Sequence, residues 1–251
     1  MSDYTRYGLV ALVVFLTHIQ EGITGFGCTV LALPFIALLL GLKVAVPVLV
    51  IQAWVLTLYI VLVSRKQIVW REYAYILLIA GLGFPFGMYM SHRLPEDGLK
   101  WVLAIFMVAI GIHGFHKYMF RPNAKVNASQ GSKRWASGLL PIGGLIHGAF
   151  GSGGPLVVIY ATKALQDKSL FRVTLCMVWF TLNTILVSQW IIRSTLSAHI
   201  LRLTAFCLPF TVIGMLLGNV AHYRMNELLF RRLVYAVLIA AGITLILSVV
   251  L

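Results

Sequence analysis

The stretch HGAFGSGGP, residues 147 to 155, interrupts an otherwise apolar chain with four glycines, a proline and a histidine. A second stretch, EGITGFG at residues 21 to 27, repeats its glycine spacing at an offset of 126 residues. Glycine and proline disfavour helix, so each stretch predicts a break in a helical element. The offset pairs these residues: Gly22 with Gly148, Gly25 with Gly151, and Gly27 with Gly153.

The composition around these breaks is that of a membrane protein. Of the 251 residues, 60% are hydrophobic and only 11% are charged, and the mean hydropathy is +0.93. Apolar runs long enough to cross a bilayer recur along the chain, so we predict an all-α polytopic membrane protein. The net charge is +13, and most of the Lys and Arg lie in short loops. In a membrane protein such residues orient the chain in the lipid bilayer, so nucleic-acid binding is not expected.

The chain divides into eight hydrophobic elements. Its longest loop is basic and separates an N-terminal repeat (1–120), a linker (121–135) and a C-terminal repeat (136–251), each repeat beginning with a Gly-broken element. Near the end of each repeat a GxxxG pair precedes RxxE, at an offset of 131 residues. The elements lie at 7–42, 44–63, 73–91, 101–119, 136–162, 173–192, 203–221 and 233–251.

Loop charge bears on how the two homologous repeats lie in the membrane. If all eight elements cross, the 20 Lys and Arg divide eleven to nine between the faces. If the first and fifth elements are re-entrant hairpins, the division is 14 to 6, which fits the positive-inside rule better and makes the repeats inverted. The crossing alternative stays open, because hairpin arms of about 15 residues exceed a minimal half-helix.

The glycine breaks are candidate anion-binding sites. Backbone N–H groups freed at membrane depth need partners, and a helix N-terminus attracts an anion. We therefore expect substrate contacts from residues at the breaks, whereas the GxxxG pairs are expected to pack helices. The predicted break residues are Thr24, Gly25, Gly27, Gly151, Ser152, Gly153 and Gly154.

Two ionisable side chains occupy equivalent positions in the breaks. Glu21 is embedded in an apolar run, and the offset of 126 pairs it with His147. An ionisable group within a membrane span is a functional candidate, so we predict that these two couple transport to protons. The alternative for Glu21 is a position near the membrane face, with hydrogen bonds to backbone.

Further polar residues lie inside other elements. Gln52 and Asn183 carry amides that need partners when buried, and they are predicted to contact substrate. Arg172 begins the sixth element, where it either extends to lipid headgroups or binds an anion. The three cysteines, all in apolar runs, predict buried thiols, and no motif predicts a cofactor or a metal site. An intramembrane serine protease is not expected, because Phe150 occupies the position where such a motif has glycine.

These motifs together resemble a known transport family. The breaks EGITGFGCTVLALP and GGLIHGAFGSGGPLVVIY, the segment DKSLFRVT, Asn183 in FTLN and the GxxxG before RxxE resemble the sulfite exporter TauE/SafE family of sulfite and organosulfonate permeases. The resemblance implies a transporter in the bacterial inner membrane for small sulfur-containing anions such as sulfite or sulfoacetate. It implies coupling to an ion, H⁺ or Na⁺, or to membrane potential, and a homodimer is compatible with it. An anion channel and a non-transporting membrane scaffold are the alternatives.

Overall fold

A computed structural model describes residues 3–120, 130–165 and 167–221, together with residues 239, 242, 243, 246, 247 and 250. Every regular element in the three continuous ranges is helical. The predicted eighth element and most of the linker lie outside these ranges, whereas linker residues 130–135 are helical. The helices are α1 Asp3–Thr24, α2 Cys28–Leu40, α3 Leu42–Ser64, the short 3-10 helix Arg65–Gln67, α4 Trp70–Arg93, α5 Glu96–Phe120, α6 Gln130–Ser137, α7 Leu140–Phe150, α8 Gly154–Ala164, α9 Lys168–Ile192 and α10 Ala198–Ala221.

Helix length separates two groups among these elements. Five helical segments are long and apolar enough to cross a membrane: Thr5–Thr24, Leu42–Gln67, Trp70–Arg93, Lys168–Ile192 and Ala198–Ala221. By contrast, α7 and α8 have 11 residues each. At 1.5 Å per residue they extend about 16 Å, roughly half of a ~30 Å hydrocarbon core. Helix α2, with 13 residues, is also too short to cross.

The same backbone device ends α1 and α7. The N–H of Gly25 donates to the Glu21 carbonyl, and the N–H of Gly151 donates to the His147 carbonyl, each at 2.7 Å. Gly25 has φ 79° and Gly151 has φ 63°, a left-handed conformation that closes the last helical turn and favours glycine. The chain then resumes as α2 and α8, so each Gly-rich stretch separates two helices.

Glycines on α4 bring its backbone against α7. A methyl group at Gly83 would overlap the carbonyl oxygen of Pro141, and one at Gly87 would overlap that of Leu145. The contact is reciprocal, since a methyl group at Gly144 would overlap the Ala80 carbonyl. Small residues thus allow two helix backbones to touch, as in GxxxG packing.

Helices α1 and α10 make the corresponding contact. A methyl group at Gly214 would overlap the Phe15 carbonyl oxygen, and one at Gly218 would overlap that of Ile19. In both contacts, the GxxxG helix of one sequence half packs on the Gly-broken element of the other half. The two halves are therefore interleaved rather than folded as separate domains.

Polar contacts join the ends of several helices. Tyr7 bonds His199 (Oη···Nδ1 3.1 Å), which joins α1 to α10, and the Leu42 N–H donates to Glu96 (3.0 Å), which joins α3 to α5. Glu72 accepts hydrogen bonds from Lys133 at 2.9 Å and from the Tyr160 hydroxyl at 2.8 Å. Glu72 on α4 thus contacts both α6 and α8.

Candidate functional site

The two glycine breaks meet at one small cavity inside the bundle. Gly154 lies beside Phe26 and Val30, and Gly151 lies beside Thr29 and Val50. The empty space in and around the cavity is about 280 Å³, a volume that includes open solvent. Helices α3 and α9 supply the rest of its wall. The lining residues are Glu21, Gly27, Thr29, Val30, Ala53, His147, Gly151, Ser152, Gly154, Trp179 and Asn183.

Glu21 is the carboxylate of this cavity. It is 2% exposed, and its Oε2 accepts the backbone N–H of Cys28 at 3.2 Å. This bond links the last turn of α1 to the first residue of α2. Within the described ranges no Lys or Arg forms an ion pair with Glu21. A buried carboxylate with so few partners needs a proton or a further donor.

His147 is held from two sides. Its Nε2 lies 3.0 Å from Oδ1 of Asn183, and its ring stacks on Trp179 at a centroid distance of 5.2 Å. Because an amide oxygen only accepts, we assign the Nε2 proton to a hydrogen bond toward Asn183. In the neutral ring Nδ1 is then an acceptor, and after protonation it is a donor.

Three buried polar atoms at the cavity have no hydrogen-bond partner among the described residues. They are Oγ of Ser152, Nε1 of Trp179 and Nδ1 of His147. Buried polar groups in proteins are nearly always paired, because an unpaired group costs about 1–3 kcal/mol. Because three such atoms belong to residues that line one cavity, this cavity is the candidate ligand site, and Ser152 and Trp179 are its candidate donors.

Trp179 is the lining residue that the sequence reasoning missed. It lies on α9 and is 4% exposed. Its indole N–H can only donate a hydrogen bond. Trp in membrane proteins is enriched at the membrane–water interfaces. The position of Trp179 near the middle of a span could therefore have marked it as a candidate site residue.

The structure brings seven of the twelve predicted site residues to the cavity and places the other five elsewhere. Thr24 donates its hydroxyl hydrogen within its own break, to the carbonyls of Gln20 (3.0 Å) and Phe26 (2.9 Å). Gly25 packs on Arg172, and Gly153 packs on the Gly143 carbonyl. The seven lining residues are Glu21, Gly27, His147, Gly151, Ser152, Gly154 and Asn183.

Gln52 and Arg172 connect helices away from this cavity. Gln52 donates to the Thr204 carbonyl at 2.8 Å and accepts the Thr211 hydroxyl at 2.7 Å, which ties α3 to α10. Arg172 is 7% exposed and donates to Oδ1 of Asn219 at 2.9 Å, which ties α9 to α10. Both side chains are engaged by protein groups, as buried polar side chains usually are.

Comparison with known families decides the identity of the chain. The family model described as sulfite exporter TauE/SafE matches residues 10–245. The chain belongs to the sulfite exporter TauE/SafE family. Comparisons with curated proteins and with solved structures gave no match.

Members of the TauE/SafE family are membrane transporters rather than enzymes. Together with its five apolar helices, the family match identifies this chain as a multi-pass membrane protein. Large apolar side chains on the outside of the bundle agree with this: Phe86 is 67% exposed and Ile192 is 82% exposed. Such surfaces are stable against lipid and unfavourable in water.

Proposed function

We propose that this TauE/SafE family member transports small sulfur-containing anions, sulfite or organosulfonates such as sulfoacetate, through the cavity between its two glycine breaks. The observation that carries the proposal is the set of unpartnered polar atoms on Ser152, Trp179 and His147 in one cavity. A sulfur oxyanion offers several acceptor oxygens, which match the hydroxyl of Ser152, the indole N–H of Trp179 and the Nδ1–H of a protonated His147. Neutral donors bind an anion more weakly than an ion pair does, which favours release.

Proton coupling is the second part of the proposal. Glu21 and His147 occupy equivalent sequence positions and line the same cavity. Both groups therefore lie close to a ligand bound there. Protonation of either group makes the cavity less negative and more favourable to an anion. If Glu21→Gln and His147→Ala both leave the pH dependence of flux unchanged, proton coupling through these groups is wrong.

The proposal includes an inverted duplication, supported by helix boundaries that match at an offset of 126 residues. The pairs are Thr24 with Phe150, Cys28 with Gly154, and Leu42 with Lys168. The backbone overlaps at α4–α7 and α1–α10 match as well, because Pro141 and Leu145 correspond to Phe15 and Ile19. In this arrangement, two hairpins from opposite faces meet at a central substrate site, as in many secondary transporters.

Labelling of single cysteines tests the hairpin arrangement. Arg6→Cys and Lys43→Cys are expected to react with an impermeant thiol reagent from one face, and Lys66→Cys from the other face. The reason is that α1 and α2 together return the chain to the face where it began. The three native cysteines are buried, so they contribute little background. Labelling of Lys43→Cys from the same face as Lys66→Cys would show that the first element crosses the membrane.

We place the protein in the bacterial inner membrane, with the basic face toward the cytoplasm. In the hairpin arrangement that face carries 14 of the 20 Lys and Arg. The positive-inside rule then orients the chain with its N-terminus outside.

Flux into liposomes tests the transport proposal itself. Purified protein is expected to support sulfite uptake that saturates with concentration, because a site with few donors is occupied by one ligand at a time. Empty liposomes and heat-denatured protein are the controls. Flux that rises linearly without saturation would indicate an anion channel, and a folded protein without flux of sulfite or sulfoacetate would indicate a scaffold.

A further inference from the structure

The cavity combines hydrogen-bond donors for an anion with a carboxylate. Ser152 contributes a donor from the break between α7 and α8, and Trp179 contributes one from α9. His147 on α7 contributes a donor through Nδ1 when its ring is protonated. Glu21 contributes from α1, and its carboxylate accepts hydrogen bonds from the backbone N–H and from the thiol of Cys28. A ligand in this small space is therefore surrounded by both hydrogen-bond donors and a carboxylate.

The groups around Glu21 do not neutralise it through an ion pair. The Cys28 thiol on α2 and the Cys176 thiol on α9 lie near the carboxylate, and His147 on α7 shares its cavity. Arg172 on α9 packs against Gly25 and donates to Asn219 on α10. In the described ranges the ion pairs join Glu96, Asp97 and Glu72 to lysines, and none includes Glu21.

An ionised Glu21 and a fully deprotonated anion repel each other in this setting. Like charges at close range in a desolvated site are strongly unfavourable, and a shared proton removes the repulsion. An occupied cavity therefore needs a proton at this site. That proton resides on Glu21 or on His147 before binding, or it arrives on the ligand.

We propose that the cavity selects oxyanions that carry their own proton on oxygen, the hydrogen sulfite class, and that Glu21 accepts this proton in a hydrogen bond. This inference rests on the proposed transport function and narrows its substrate class. Sulfate and simple sulfonates are deprotonated at neutral pH and have no proton to donate. They leave Glu21 facing an anion, which is the kind of mismatch that gives a binding site its selectivity.

Binding measurements on the purified full-length protein test this selectivity. Sodium sulfite, sodium sulfate and sodium methanesulfonate are titrated at pH 7 in detergent by calorimetry. Wild-type protein is expected to bind sulfite at least about tenfold more tightly than either of the other two, because only sulfite supplies a proton to Glu21. The preference is expected to weaken as the pH rises, since less of the sulfite then carries a proton.

Glu21→Gln is the decisive variant. The glutamine amide can donate to an anion, so sulfate is expected to bind more tightly than to wild type, and the preference for sulfite to fall to within about twofold. Asp97→Asn is the matched control: it makes the same chemical change at a side chain that is 74% exposed on α5, and it should leave the preference unchanged. Glu21→Asp keeps the carboxylate and should retain the preference for sulfite. It provides a second test if Glu21→Gln does not fold.

The outcomes separate this inference from the transport proposal. Equal affinity of wild-type protein for sulfite and sulfate overturns the inference and leaves anion transport standing. A sulfite preference that persists in folded Glu21→Gln also overturns it. Folded wild-type protein that binds none of the three anions overturns the transport proposal, and the inference with it.

Discussion

Gly83→Ala and Gly87→Ala are each expected to abolish most of the folded protein, although each adds only one methyl group. The new Cβ would overlap the backbone carbonyl of Pro141 or Leu145. A carbonyl within α7 cannot rotate away as a flexible side chain can, so α4 and α7 would have to separate along the contact. We expect a loss of about 3 kcal/mol or more in the free energy of unfolding.

The same helix supplies a matched control. Gly81 lies two residues before Gly83 on α4, and a methyl group there would meet no atom within 4 Å. Gly81→Ala is therefore expected to be neutral or slightly stabilising, because alanine favours helix over glycine. Thermal unfolding in detergent, followed by size-exclusion chromatography, measures all three variants. If Gly83→Ala unfolds at the same temperature as Gly81→Ala, the inferred close contact between α4 and α7 is wrong.

Trp179→Phe and Ser152→Ala are expected to lower sulfite flux while leaving the protein as stable as wild type or more so. Each change removes a donor that has no partner among the described residues, so no protein hydrogen bond is lost. Removing a buried unpaired polar group can even stabilise a fold. In transport each donor is expected to matter by about tenfold in kcat/KM, since hydrogen bonds to a charged group contribute about 1.5–3 kcal/mol.

Trp54→Phe is the matched control for Trp179→Phe. The Trp54 indole donates to the Thr184 hydroxyl at 2.8 Å and stacks on Phe180, and Trp54 does not line the cavity. Its loss is expected to reduce stability by about 1 kcal/mol with little change in flux. Liposome flux and thermal unfolding of both variants give the comparison. Equal losses of flux in the two variants would remove Trp179 from the site.

The glycines of the two breaks prove to have two different uses. Gly27, Gly151 and Gly154 line the cavity, and Gly27 and Gly151 have a left-handed backbone conformation that favours glycine. Gly25 and Gly153 instead pack on a side chain and on a backbone carbonyl. Local sequence does not separate these uses, because both require a small residue at a helix break.

The embedded polar residues divide in a similar way. Asn183 supports His147 at the cavity, whereas Gln52 joins α3 to α10. Each is an amide inside an apolar helix, and each has the partners that burial demands. Which partner it has depends on the face that it presents to neighbouring helices, and that is a property of packing.

The sequence by itself determined the membrane class, and it predicted the two helix breaks and the pairing of Glu21 with His147 at an offset of 126 residues. Composition, apolar periodicity and backbone preference act over short stretches of chain and can be read without a fold. Only the tertiary structure brought both breaks to one cavity and placed Trp179 beside His147. Only the structure, too, separated the cavity residues from Gln52 and Arg172, because that separation arises from contacts between helices distant in sequence.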